Sequence, residues 1–208
     1  IKLAINQKNA ITKAITNKVS VITGGPGTGK TTILNCIMKI LSAKKIKIKL
    51  CAPTGRAAKK MSEATGMEAF TIHRLLQFQP SLGDFKYNEN NQLDCDLLIV
   101  DESSMVDVPL MHSLLKAVNE KTAMLIVGDV DQLPSVGAGQ VLKDIIDSQK
   151  IELVKLTEIY RQAQNSDIVV NAHLINQGKF PILKPKGDEK DFYFIEANDA
   201  EDIANIVK

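Results

Sequence analysis

The sequence predicts an α/β fold: a parallel sheet with helices on both faces and a small β-hairpin insertion. Three observations predict it. Short aliphatic runs alternate with polar turns and amphipathic helical stretches along the chain. The runs are almost continuously apolar, as strands covered on both faces require. One stretch, residues 79–94, breaks the rhythm with β-prone pieces around the turn-rich "NENN", the pattern of an inserted hairpin.

Taken in order, "VSVIT" (19–23) precedes a Gly-rich turn and the helical "KTTILNCIMKILSA". "IKIKLCA" (46–52) precedes "PTGRAAKKMSEAT", and "LLIV" (97–100) precedes "DESSM" and "VPLMHSLLKAV". "AMLIV" (123–127) precedes "VGDVDQLPSVGAGQ" and "VLKDIIDSQ", and "IELVKL" (151–156) precedes "TEIYRQ" and "SDIVVNAHLINQG". Residues 179–190, rich in Pro and Lys, read as a linker, and "FYFIEA" beyond them as one more strand. The expected organisation is a domain over 1–178, containing the insertion, and a crossover segment over 179–208.

The 208 residues suffice for one well-packed domain, and 44% hydrophobic with 24% charged residues are globular values. A net charge of +2 gives no sign of a nucleic-acid partner by itself, although a balanced total can hide a local basic groove. Cys36, Cys51 and Cys95 lack metal-ligand spacing and read as reduced residues of a cytoplasmic protein. No apolar run approaches the roughly 20 residues of a membrane span. The chain opens at Ile1 and closes inside a helical pattern, so it reads as a piece of a larger protein.

"GGPGTGKTT" (24–32) fits the phosphate-loop pattern through Gly24, Gly29, Lys30 and Thr31, between a β-branched strand and a long helix. Glycines let successive N–H groups turn toward phosphate oxygens, and the candidate cradle spans Gly24, Gly25, Pro26, Gly27, Thr28, Gly29 and Thr32, in which Pro26 contributes no N–H. Lys30 supplies positive charge to the β- and γ-phosphates, and the Thr31 hydroxyl one Mg²⁺ position. In "LLIVDESSM", four apolar residues set Asp101 at the carboxyl end of a buried strand, where it would hold Mg²⁺. Glu102 follows as the candidate general base for an attacking water. All five predicted strands end in polar, function-like residues, and ligands of open parallel sheets bind beyond those ends.

With these segments in order, the chain resembles the first motor domain of superfamily 1 helicases of the RecD-like, 5′-to-3′ group, the family of the exodeoxyribonuclease V α subunit. The resemblance implies a RecA-like P-loop NTPase that couples ATP hydrolysis, with Mg²⁺, to translocation on single-stranded DNA and unwinding at a fork. It implies that Gln7 of "NQKNAI" bonds adenine, and that Gln132 of "GDVDQLP" and Arg161 of "IYRQA" reach the γ-phosphate. It implies DNA contacts from Pro53, Thr54, Gly55 and Arg56 of "APTGRAAKKM", from Thr71 and His73 of "TIHRLL", and from Ser135. The insertion corresponds to a fork-side hairpin, with Phe85 and Tyr87 as its aromatic candidates. Partners implied are a second motor domain of the same parent chain and other exodeoxyribonuclease V subunits, with no membrane. Nothing after Ala197 supplies the second domain's motifs, so unwinding by this chain alone is not expected. The residues also fit an RNA helicase motor, a relaxase-associated motor, or a non-catalytic P-loop binding module.

Overall fold

Strands of four to six mostly apolar residues have nowhere to rest except between two helical layers, and the structure places them there. The computed structural model describes residues 3–159, 165–183, 191–192 and 194–207. It divides into two compact units, Ile1–Glu158 and Ile159–Lys208.

In the first unit, six parallel strands lie side by side in the order β3-β2-β6-β7-β1-β8. They are β1 (Val19–Gly24), β2 (Ile48–Ala52), β3 (Ala69–Thr71), β6 (Leu97–Val100), β7 (Ala123–Gly128) and β8 (Glu152–Leu156). Alternate residues serve opposite faces. Ile22, Leu97, Ile99, Leu125 and Val127 pack with Ile33, Ile37 and Leu41 of α2 (Lys30–Ser42), with Ala10 and Ala14 of α1 (Ile5–Thr16), and with Met61 of α3 (Gly55–Thr65). Val21, Leu98, Val100, Met124 and Ile126 pack with Ile72 and Leu75 of α4 (Ile72–Leu75), Leu114 of α5 (Val108–Lys116) and Leu142 of α6 (Val141–Ser148). The central β6 is buried along its whole length.

Two features of this unit differ from expectation. Strand β3 is additional: "AFT" is three residues at the sheet edge, too short to show a period, and pairs with β2 from Leu50↔Ala69 to Ala52↔Thr71. The hairpin is present but its turn lies earlier. Strands β4 (Phe78–Gln79) and β5 (Asp84–Phe85) pair antiparallel around Pro80–Gly83, closed by the Gly83 N–H donating to the Gln79 carbonyl at 2.9 Å. The expected centre "NENN" forms only a bridge, in which Asn88 and Asn91 exchange main-chain bonds of 3.1 and 3.2 Å.

The second unit contains α7 (Asp167–Asn176) and α8 (Ala200–Val207). Its Asp191 carboxylate caps α7, accepting from the Asp167 N–H at 2.8 Å and from the Ser166 hydroxyl. Among the described residues of "FYFIEA" there is no strand beyond a single bridging residue, Phe194; Tyr193 lies outside them.

Candidate nucleotide site at the strand ends

The loop after β1 turns through left-handed backbone at Gly27 (φ 74°) and at Gly29 (φ 84°), the residue that opens α2, conformations that side-chain-bearing residues avoid. Thr28 is buried, its hydroxyl donating to the Gly25 carbonyl at 2.8 Å. The Lys30 ammonium folds back over the loop, donating to the Gly24 carbonyl and, at 3.1 Å, to that of Gly25. Burial pushes the Lys30 amine below its ordinary value, against the opposing pull of Asp129, Glu102 and Asp101 in that order. Lys30 therefore lies within electrostatic reach of three carboxylates beyond the ends of β6 and β7, with Lys60 acting against them. Thr31 stands exposed in the first turn of α2.

Asp101 follows β6, with its N–H donating to the Cys51 carbonyl at 2.9 Å. Burial raises its carboxyl above the usual range, and the Glu102 N–H, donating to Oδ1 at 2.9 Å, works the other way. Glu102 itself adopts left-handed backbone (φ 51°) before the single 3₁₀ turn Ser103–Met105. That turn is tied to the neighbouring strand by the Ser103 hydroxyl, which donates to the Val127 carbonyl at 2.8 Å. It also lies so close to Gly128 that a Cβ there would stand 2.6 Å from Ser103 Oγ and 2.8 Å from Leu142 Cδ2.

Beyond β7, Asp129 is 2% exposed. Its Oδ1 accepts from the Asp131 N–H at 3.1 Å and its carbonyl from the Gln132 N–H at 3.2 Å, giving a tight turn that presents an exposed Gln132. Further along, the Ser135 hydroxyl bonds the carbonyls of Gly137 (3.1 Å) and Gly139 (2.9 Å), closing the loop on itself. Leu133 at its tip is 87% exposed. Ser104 Oγ, buried and with no hydrogen-bond partner, Gln132 and Gln140 line a small cavity of about 50 Å³ beneath this loop.

The other expected residues divide. Gln7 lies inside α1 and is 2% exposed. Its Oε1 accepts from the Ala4 N–H at 3.2 Å, while the buried Nε2 has no protein hydrogen-bond partner among the described residues. After Pro53, the Thr54 hydroxyl is engaged as the cap of α3, accepting from the Ala57 N–H at 3.2 Å; Gly55 and Arg56 lie exposed in its first turn. Thr71 likewise caps α4 through the Arg74 N–H at 3.1 Å. His73 joins an aromatic cluster with the hairpin, 6.0 Å from the Phe78 ring and 5.7 Å from Phe85. Phe85 and Tyr87 are partly buried against the core, so the exposed aromatic of the hairpin is Phe78, which the sequence reading passed over. Arg161 lies outside the described residues. Asp129 and Thr23 are not singled out by the sequence; the first is visible in "GDVDQ" but nothing local separates it from Asp131.

Cys51 and Cys95 are buried free thiols and Cys36 is a partly exposed one; burial pushes the first two above the ordinary range, which leaves them unreactive. Among the described residues no group of three or more His, Cys, Asp or Glu could hold a metal, and no helix is long and apolar enough to cross a membrane. A Mg²⁺ held with substrate phosphates needs only one or two protein ligands, so Thr31 and Asp101 suit it chemically.

A lysine wrapped by a glycine loop, facing carboxylates at neighbouring strand ends of a RecA-like parallel sheet, defines a P-loop NTPase domain that binds nucleotide. The chain is 41% identical over 179 residues to the ATP-dependent RecD2 DNA helicase of Deinococcus radiodurans, and 38% identical over 165 residues to the RecBCD enzyme subunit RecD of Mycolicibacterium smegmatis. These alignments cover 86% and 68% of this chain but only 24% and 30% of those proteins. The solved Pif1 helicase of Candida albicans superposes with a TM-score of 0.66 at 26% identity, covering 87% of this chain and 45% of that one. The chain belongs to the AAA domain family, whose pattern matches residues 7–138, and within it is a RecD-like motor domain of the superfamily 1 helicases.

Proposed function

We propose that this chain is the first motor domain of an ATP-dependent DNA helicase that moves 5′ to 3′ on single-stranded DNA and unwinds duplex at a fork. The observation that carries the reading is the convergence of Lys30, Asp101, Glu102 and Asp129 on one rim, beside a loop that leads from Asp129 to exposed Gln132. In it, residues 1–178 form the motor domain, supported by a sheet that lies wholly within Ile1–Glu158.

On nucleotide arrival, Lys30 exchanges its carbonyl partners for β- and γ-phosphate oxygens, and the loop N–H groups align on the same phosphates. Thr31 and Asp101 would hold Mg²⁺, which neutralises charge developing on the transferred phosphoryl group. Glu102 orients the attacking water and takes its proton. Gln7 offers Nε2 to the adenine, and Gln132 and Arg161 respond to the γ-phosphate. DNA lies across the first turns of α3 and α4, with Arg56, Thr54, Gly55, Thr71, His73 and Ser135 as contacts to phosphate and sugar. The similarity to RecD subunits supports a second motor domain in the parent chain and other exodeoxyribonuclease V subunits as partners.

The test uses the full-length protein. Its ATPase should rise with single-stranded DNA, Lys30→Ala should lower turnover by about 100-fold or more, and Glu102→Gln should do so while nucleotide still binds. Stimulation by RNA but not by single-stranded DNA would overturn the substrate assignment.

A further inference from the structure

Thr23 is the last residue before the phosphate loop, 1% exposed, and its hydroxyl serves no helix or turn of its own neighbourhood. Thr23 Oγ1 instead accepts the N–H of Val130, at 3.2 Å, from the chain leaving β7. The two strands are in register here, Thr23 opposite Gly128, so this side-chain bond continues the ladder by one rung after the strand pairing has ended. Val130 lies inside the turn in which the Gln132 N–H bonds the carbonyl of Asp129, whose carboxylate acts on Lys30. On its other side Thr23 is joined to Gly24, whose carbonyl accepts from Lys30.

We propose that Thr23 is a positioning residue that fixes the Asp129–Gln132 turn to the base of the phosphate loop, so that displacement of Lys30 by a polyphosphate is felt at Gln132. This deepens the proposed ATPase function and rests on it. Two adjacent residues of β1 then hold the two responsive parts: the Gly24 carbonyl holds the lysine, and the Thr23 hydroxyl holds the turn. A turn anchored only by its own internal bonds would keep its shape but lose its placement against the phosphates. Misplacement of a reacting or sensing group by about 1 Å costs on the order of 100-fold in rate.

Thr23→Val preserves shape and removes the acceptor; Thr23→Ser keeps the acceptor. In the full-length protein, Thr23→Val should lower the single-stranded-DNA-stimulated kcat about 10- to 100-fold, leave the KM for ATP within about twofold, and Thr23→Ser should restore kcat. If the valine variant fails to fold, Thr23→Ala set against Thr23→Ser reads the same contrast. A valine variant with wild-type kcat, a parallel loss of kcat and ATP affinity, or failure of serine to rescue would each overturn the assignment of Thr23. A wild-type protein without DNA-stimulated ATPase would instead overturn the proposed function from which it starts.

Discussion

At the scale of single residues, the site keeps charge where burial disfavours it. Asp101 carries a carboxyl raised above its unfolded value of 3.8, chiefly by burial. Between those two values the folded state holds more protons than the unfolded one, so stability falls as pH rises through that window. The cost is fully present once the pH exceeds the folded value. Asp101→Asn should therefore raise the melting temperature of the nucleotide-free protein at pH 7, with the gain shrinking below the folded value and vanishing under the unfolded one. A thermal scan from pH 3 to pH 8 reads it, and an unchanged or lowered melting temperature at pH 7 would contradict it. Lys30, lowered by burial, has the mirror sign: its cost is present below its folded value and fades as pH rises toward 10.5. Such groups were legible in the sequence because each adjoins the strand that positions it. Thr23 was not, since its partner Val130 stands far along the chain, beyond β7, and Asp129 was not, since only burial distinguishes it from exposed Asp131.

At the scale of elements, the long strands and helices followed from period and length, whereas the short pieces did not. Strand β3 owes its existence to an open sheet edge beside β2, not to any preference of Ala-Phe-Thr. The hairpin turned at Pro80–Gly83 rather than at Asn88–Asn91, because Phe78 and Phe85 pair across it with rings 5.2 Å apart. Side-chain pairing overrode the richer turn composition. The junction of β7 with the Ser103–Met105 turn tests how tightly elements meet. Gly128→Ala would press a methyl into Ser103 Oγ and Leu142, and should cost about 1–3 kcal/mol in urea unfolding. A variant as stable as wild type would mean that the turn moves away freely.

At the scale of the whole molecule, one face of the sheet is packed by α1–α3 and the other by α4–α6, while Lys30, Asp101, Glu102 and Asp129 gather at the rim where the strands end. The proposed DNA track along that rim predicts an electrostatic component. Arg56→Ala in the full-length protein should weaken binding of single-stranded DNA similarly for all sequences and reduce the slope of log affinity against log salt by about 0.7. An unchanged slope would remove Arg56 from the track. All-parallel pairing also joins distant segments, as in the β1–β7 and β1–β8 ladders, so refolding should be slow for a domain of this size.

The lysine bonded to its own loop has one more consequence, and it concerns leaving. Gly24 and Gly25 offer the ammonium a resting place. In the proposed ATPase cycle, phosphate would displace it from there and the spent nucleotide would face a rival that is part of the same chain. Release would then be an exchange with an internal competitor, promoted by the loop that captured the substrate.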